Sequence, residues 1–180
     1  LAGLQFLSRI FHDRTLHKYY ICLTKGKIEK PDHIRGYLHK DKKTNKVIVS
    51  RQEFKDSLPI ETKYRPLGSN GKITLLEVEL ITGRTHQIRV HMNYIGHPLF
   101  NDERYGGSEI RKGTIYAKYK QFIRNCFELC PRQALHAKTL GFVHPRTREF
   151  IRFDSALPAD MSALISKWRD YAGNMPAEED

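Results

Sequence analysis

Leu80-Ile-Thr-Gly-Arg-Thr-His-Gln-Ile-Arg-Val-His-Met-Asn-Tyr-Ile-Gly-His-Pro98 begins where one kind of periodicity stops and another starts. Just upstream, Leu76, Val78 and Leu80 alternate with Glu77 and Glu79, the period of a strand with one buried face. Thr82-Gly83 breaks the alternation, and Gly83 is free to take a positive φ. Ile88, Met92 and Ile95 then share one face of a predicted helix, with Thr85 as its N-cap, Gly96 as its stop and Pro98 just beyond. At about 100° per residue Arg89 falls beside that apolar stripe. Arg84, His86 and Arg89 therefore crowd the first turns of a helix whose N-terminus already favours anions. Solvated residues on a surface helix are the competing reading, since basic side chains are usually exposed.

The rest of the composition narrows the class of protein. A chain of 180 residues suits one domain with a real core. Hydrophobic residues make up 39% and charged residues 28%, a globular balance. Lys and Arg total 31 against 20 Asp and Glu, a formal charge of +11 that fits a polyanionic partner and argues against an acidic-tail or chaperone-like role. Cys22, Cys126 and Cys130 are too few and too irregular for a disulfide framework, and read as buried thiols of a reducing cytoplasm. No apolar run is long enough to span a membrane, and no signal peptide is visible. His86 and His91 are five apart, not the four that puts two ligands on one helical face, so a zinc site is unsupported. Neither a phosphate-cradling Gly-x-x-x-x-Gly-Lys loop nor a dinucleotide fingerprint occurs, which speaks against nucleotide cofactors.

Working outward from the central stretch, Glu61–Arg65 alternates as a strand ended by Pro66 and the Gly68-Ser-Asn-Gly71 turn, so residues 60–80 predict an antiparallel hairpin. A second hairpin joins 34–39 to 47–50 through the charged Lys40–Lys46 tip, whose default meaning is a solvated turn. Tyr19–Thr24 is a β-branched and aromatic strand closed by Gly26, preceded by a short helix over 2–11. On the C-terminal side, Tyr119 to Cys130 traces an amphipathic helix, followed by two strands around the His144–Thr147 turn. Met161, Leu164, Ile165 and Trp168 mark a last helix with Asp160 as N-cap. One domain over residues 1–172 and a frayed tail over 173–180 follow. Strands outnumber helices and join by short turns, an α+β arrangement with a mainly antiparallel sheet.

Thr82-Gly-Arg-Thr-His-Gln-Ile-Arg-Val-His91, with Gly96-His-Pro-Leu99 and Asp102-Glu-Arg-Tyr-Gly-Gly107, resembles the signature of the RluA-type pseudouridine synthases. Lys18-x-Tyr20, three residues after Thr15, is similar to a second short motif of that family, and Arg132–Ala137 with His144-Pro145 to its closing segment. The resemblance implies the pseudouridine synthase fold, a curved, mainly antiparallel sheet flanked by helices, and isomerisation of uridine in structured RNA, ribosomal in preference to transfer RNA. It implies no cofactor. It also makes Arg89 the catalytic cation and Tyr20 the residue at the base, with Lys18, Arg84 and His86 as RNA contacts. A monomer is expected.

In the family the nucleophilic Asp lies in a His-Arg-Leu-Asp segment upstream of Lys-x-Tyr; here only 17 residues precede Lys18, and no Arg-Leu-Asp triplet occurs. With Leu1 at its start, the chain is expected to be the C-terminal part of a catalytic domain, inactive without its upstream Asp. The alternative is a non-catalytic RNA-binding module that keeps the fold. Asp102 and Asp13 read as turn residues that cannot replace the nucleophile, Asp102 fixing its loop by local hydrogen bonds. Asn101 stands where the family usually has Gly, at a position where positive φ is tolerable for Asn.

Overall fold

A computed structural model describes residues 2–12, 15–110 and 117–173. Its strands are β1 (His17–Lys25), β2 (Asp32–Lys40), β3 (Val47–Ser50), β4 (Leu58–Ser69), β5 (Ile73–Leu80), β6 (Leu135–Val143) and β7 (Phe150–Asp154). They form one open sheet in the order β3-β2-β4-β5-β1-β6-β7, with every neighbouring pair antiparallel. The helices are α1 (Ala2–His12), α2 (Gln87–Tyr94), α3 (Ala117–Leu129) and α4 (Ala159–Gly173). The α+β class expected from the short turns is the class found.

β1 lies near the middle of the sheet and is covered on both faces, which explains its apolar run Ile21-Cys-Leu23. One face carries Cys22, Leu76, Val78 and Leu80 against Ile88 and Met92 of α2. The other carries Ile21, Leu23 and Ile73 against Ile123 and Cys126 of α3 and Leu164 and Trp168 of α4. Each such side chain contributes about 1.5–3 kcal/mol by leaving water, so the two faces fix the register of β1 and β5 between them. A smaller cluster of Leu38, Ile60 and Val90 ties α2 to the β2–β4 side of the sheet. All three cysteines are buried, with burial pushing the Cys22 and Cys126 thiols up to about 12.

Three local expectations are corrected. Pro66 does not end its strand, because β4 runs on to Ser69. Pairing with β2 stops at Tyr64, so the missing Pro66 N–H is not needed on that side, and a bulge between Pro66 and Gly68 absorbs the irregularity against β5. Asp160 lies inside α4 rather than at its N-cap. Its carboxylate takes a two-point bond from Arg132, at 2.7 and 2.9 Å, and Arg132 holds that carboxyl below the usual carboxylate range. Helix α4 also continues through Gly173, the first residue assigned to the tail, and residues 174–180 lie outside the described residues. Asp13 lies outside them too.

Candidate active site

The turn from β5 into α2 is held by side chains that the sequence presents as polar and the fold buries. Gln87 is 2% exposed, and its Oε1 accepts from the Thr82 hydroxyl at 2.7 Å and the Arg84 N–H at 3.0 Å. Its Nε2 donates to the Glu61 carbonyl at 2.9 Å and to the Thr62 hydroxyl at 3.1 Å. Thr62 in turn meets His91 Nδ1 at 2.9 Å, and burial pulls the His91 ring down to about 4, so it is neutral at pH 7. The Glu61 N–H donates to Thr82 Oγ1 at 2.9 Å. Every member has a partner, as buried polar groups require. Thr82, Gln87 and His91 of the central stretch therefore clamp α2 onto β4, and the turn between them is rigid.

The start of α2 differs from expectation. Thr85 is not its N-cap; that position is His86, in the left-handed region at φ 55 with no side-chain cap. Gln87 replaces a cap by accepting the Arg84 N–H from inside the first turn. Gly83 does not have a positive φ either. Glycine leaves room there for the end of a lysine, because a Cβ would lie 2.5 Å from Lys18 Nζ and would displace it. The ammonium of Lys18 thus reaches across from β1 to the residue just before Arg84.

Two residues further along the strand, Tyr20 projects from the same face of β1. It pairs with Val78 and packs partly buried on the cluster that contains Leu80 and Ile88. Burial pushes its phenol up, so the hydroxyl is protonated at neutral pH. Tyr64, partnered with the same Val78 from the other side, packs on the same cluster. Lys18 thus reaches the Gly83-Arg84 turn beyond the C-terminal end of β5, and Tyr20 lies two residues further along the same strand, opposite Val78.

Arg89 and His86 face a different neighbour. Arg89 donates from Nε to Asp102 Oδ2 and from Nη2 to Asp102 Oδ1, both at 2.8 Å, with the Asp102 side chain fully buried. The expectation that Asp102 fixes its loop only locally is therefore corrected. Its backbone does so, through bonds with Leu99, Tyr105 and Gly107, while its carboxylate holds α2. Asn101 has φ 57, as its residue type allows, and donates from Nδ2 to the Cys130 carbonyl at 2.8 Å. Gly107 has no room for a side chain, since a Cβ would stand 1.8 Å from the Leu99 carbonyl. The 99–107 segment is also bonded back to β1 through Phe100 N to Leu23 O, so Asp102 is delivered to Arg89 by the sheet itself.

Tyr105, which the sequence reading left without a role, joins the two basic residues. Its hydroxyl lies 2.9 Å from His86 Nδ1, and the Arg89 guanidinium sits 5.0 Å from its ring centre. Burial, followed by the charges of Arg89, Arg104 and Lys40, lowers the His86 pKa and leaves the ring neutral at pH 7. Of the five residues singled out from sequence, Lys18 reaches the residue before Arg84 and Tyr20 shares its strand face, while His86 and Arg89 form a second group around Tyr105. Among the described residues, no cluster of His, Cys, Asp and Glu could hold a metal, and no helix is long and apolar enough to cross a membrane.

A sequence model of the family described as RNA pseudouridylate synthase matches residues 2–94. An uncharacterised RNA pseudouridine synthase of Chlorobaculum parvum is 37% identical over 171 residues, covering 93% of this chain and 52% of that protein. The ribosomal large subunit pseudouridine synthase D of Nitrosomonas europaea is 36% identical over 166 residues, 91% of this chain and 44% of that protein. The chain spans about half the length of these curated relatives. Among solved structures, human RNA pseudouridylate synthase domain containing 4 superposes with a TM-score of 0.71 at 18% identity, covering 93% of this chain and 68% of that one. That likeness carries the fold alone.

Proposed function

Because this chain belongs to the RNA pseudouridylate synthase family, in its RluA-type branch, we propose that it is the part of a synthase that traps and turns a uracil in structured RNA, with large-subunit ribosomal RNA as the substrate class. The observation that carries this reading is the approach of Lys18 to the Gly83-Arg84 turn, with Tyr20 two residues further along the same face of β1. Relatives named for the large ribosomal subunit support the choice of RNA.

In this isomerisation the bond from uracil N1 to the ribose C1′ breaks, a bond from C5 to C1′ forms, and the C5 proton is lost as N1 gains one. Nothing is oxidised, and water is not consumed. The reaction needs a carboxylate at the ribose, cations that keep it ionised, and walls that hold the freed base. Lys18 and Arg84 supply the positive charge, and Tyr20 forms the wall beside the base with its neutral hydroxyl available as a donor. Arg89 acts through Asp102 as a positioning residue, since two of its guanidinium nitrogens are already engaged. The nucleophilic carboxylate is assigned to residues upstream of this chain, because no Arg-Leu-Asp triplet occurs in the 180 residues.

That same missing triplet is the one observation favouring a second reading, an RNA-binding module without catalysis. The test compares this chain with a longer protein that carries the upstream His-Arg-Leu-Asp segment, using release of tritium from [5-³H]uridine in ribosomal RNA. The short chain is expected to release none, the longer protein to release tritium, and its Asp→Asn variant to fall back to none. Tritium release by the short chain alone overturns the assignment of roles, and an inactive longer protein selects the binding module.

A further inference from the structure

Beside the Gly83-Arg84 turn lies a groove of about 870 Å³, open to solvent and roofed by the β2–β3 hairpin. Lys40, Lys42 and Lys43 of the hairpin tip line one side, and Gly83, Arg84 and Thr85 the other. We propose that this groove holds the ribose–phosphate backbone of the RNA strand flanking the target nucleotide, so that the hairpin tip is a backbone clamp. The inference rests on the assignment of the protein to RNA and says where, away from the Tyr20 side of the site, the strand is gripped.

Two features favour phosphate over other occupants. The carboxylates in the lining do not cancel its charge. Asp41 and Asp56 are two carboxylates against the four cations Lys40, Lys42, Lys43 and Arg84, and the Asp41 carboxylate is engaged by its own turn, accepting from the Lys43 N–H at 2.8 Å and the Thr44 hydroxyl at 2.8 Å. None of the eleven lining residues is Phe, Tyr or Trp, so the groove offers no aromatic platform for an unstacked base. Such a surface positions a backbone and reads little sequence.

The tip is also held in place. Arg104 donates to the Asn45 carbonyl at the tip and lies over the Tyr105 ring, in the segment that Asp102 and Arg89 lock to α2. The backbone of the tip is thereby tied to the segment that holds α2, while Lys42 and Lys43 keep their side chains exposed. A tip held in place loses less loop entropy on binding a strand than a mobile one does.

The test uses this 180-residue chain and a ribosomal RNA stem-loop, with binding measured over a range of salt concentrations. Lys42→Gln/Lys43→Gln should make the plot of log affinity against log salt shallower by about 2, one per lost phosphate contact. Lys42→Arg/Lys43→Arg should keep the parent slope. Lys118→Gln/Lys120→Gln, on α3 across the opposite face of the sheet, should leave it unchanged. The loss should be alike for stem-loops of different sequence. A steep parent slope that Lys42→Gln/Lys43→Gln does not alter, or alters no more than the α3 pair, overturns the clamp and leaves the synthase assignment standing. Equal displacement of the RNA by poly-glutamate of matched charge overturns it in favour of an acidic protein. A parent chain that binds no RNA at low salt overturns the clamp and the RNA assignment together.

Discussion

Arg89 and Asp102 meet in a two-point ion pair with both hydrogen bonds at 2.8 Å, and Asp102 has no other access to solvent. The pair joins α2 to the segment that returns to β1, so it fixes the height of the helix above the sheet. Removing one partner leaves the other charged, buried and alone. Asp102→Asn is therefore expected to lower unfolding stability by about 3–5 kcal/mol. Replacing both partners with apolar residues, as in Arg89→Met/Asp102→Leu, should cost clearly less. Urea denaturation of the three proteins decides this, and a loss from Asp102→Asn below about 1 kcal/mol would show that the pair is not sealed from water.

His91 makes stability depend on pH with a definite sign. Burial lowers its folded pKa to about 4 from an ordinary 6.5. Between those values the unfolded chain binds a proton that the folded chain refuses, so stability rises with pH across this window. The contribution is complete above pH 6.5 and is lost as pH falls toward 4, on the order of 3 kcal/mol in total. Thermal melts from pH 4 to 7 should show this slope, and His91→Gln should flatten it. An unchanged slope in the variant would place the titration elsewhere.

The sheet was legible in the sequence because burial on one or both faces leaves a period of two. Leu76, Val78 and Leu80 announced β5, and the β-branched and aromatic run Tyr19–Thr24 announced β1, whose cover on both faces only the fold shows. The clamp of Thr82, Gln87, Thr62 and His91 was not legible, because polar residues carry no mark of whether they will be buried. Asp102 and Tyr105 were missed as partners of Arg89 and His86 for a related reason. They lie 13 and 19 residues away beyond the Gly96 stop, and only the pairing of the 98–100 segment with β1 brings them back. Gly83 read as a place of backbone freedom; the room it leaves is filled by the end of a lysine 65 residues earlier in the chain, which no local pattern encodes. The basic tip at Lys40–Lys46 read as a solvated turn because its place beside Arg84 is a tertiary fact.

Gly83→Ala separates these two explanations. A backbone requiring positive φ would make alanine destabilising, but Gly83 has no positive φ, and the new Cβ meets only the end of a flexible side chain. Stability should change by less than about 1 kcal/mol, with a small gain available from the stiffer unfolded chain. The Lys18 ammonium must move away from Arg84, however, so turnover by the nucleophile-bearing protein should fall at least tenfold. A stable variant with full activity would remove Lys18 from the site.

Tyr20→Phe asks whether the phenol does more than pack. The ring sits on the cluster shared by Val78, Leu80 and Ile88, and phenylalanine fills that place with the same area. Stability and RNA affinity should therefore stay within about twofold of the parent. The hydroxyl is kept protonated by burial and stands on the face of β1 that Lys18 shares. If it donates to the uracil while the base is detached and turning, its removal weakens an interaction made in the transition state and not in the initial complex. The nucleophile-bearing Tyr20→Phe protein should then lose kcat and kcat/KM together, by about tenfold or more, with KM nearly constant. A rise in KM alone would mean that the hydroxyl only helps bind RNA, and unchanged kinetics would leave Tyr20 as a core residue of β1.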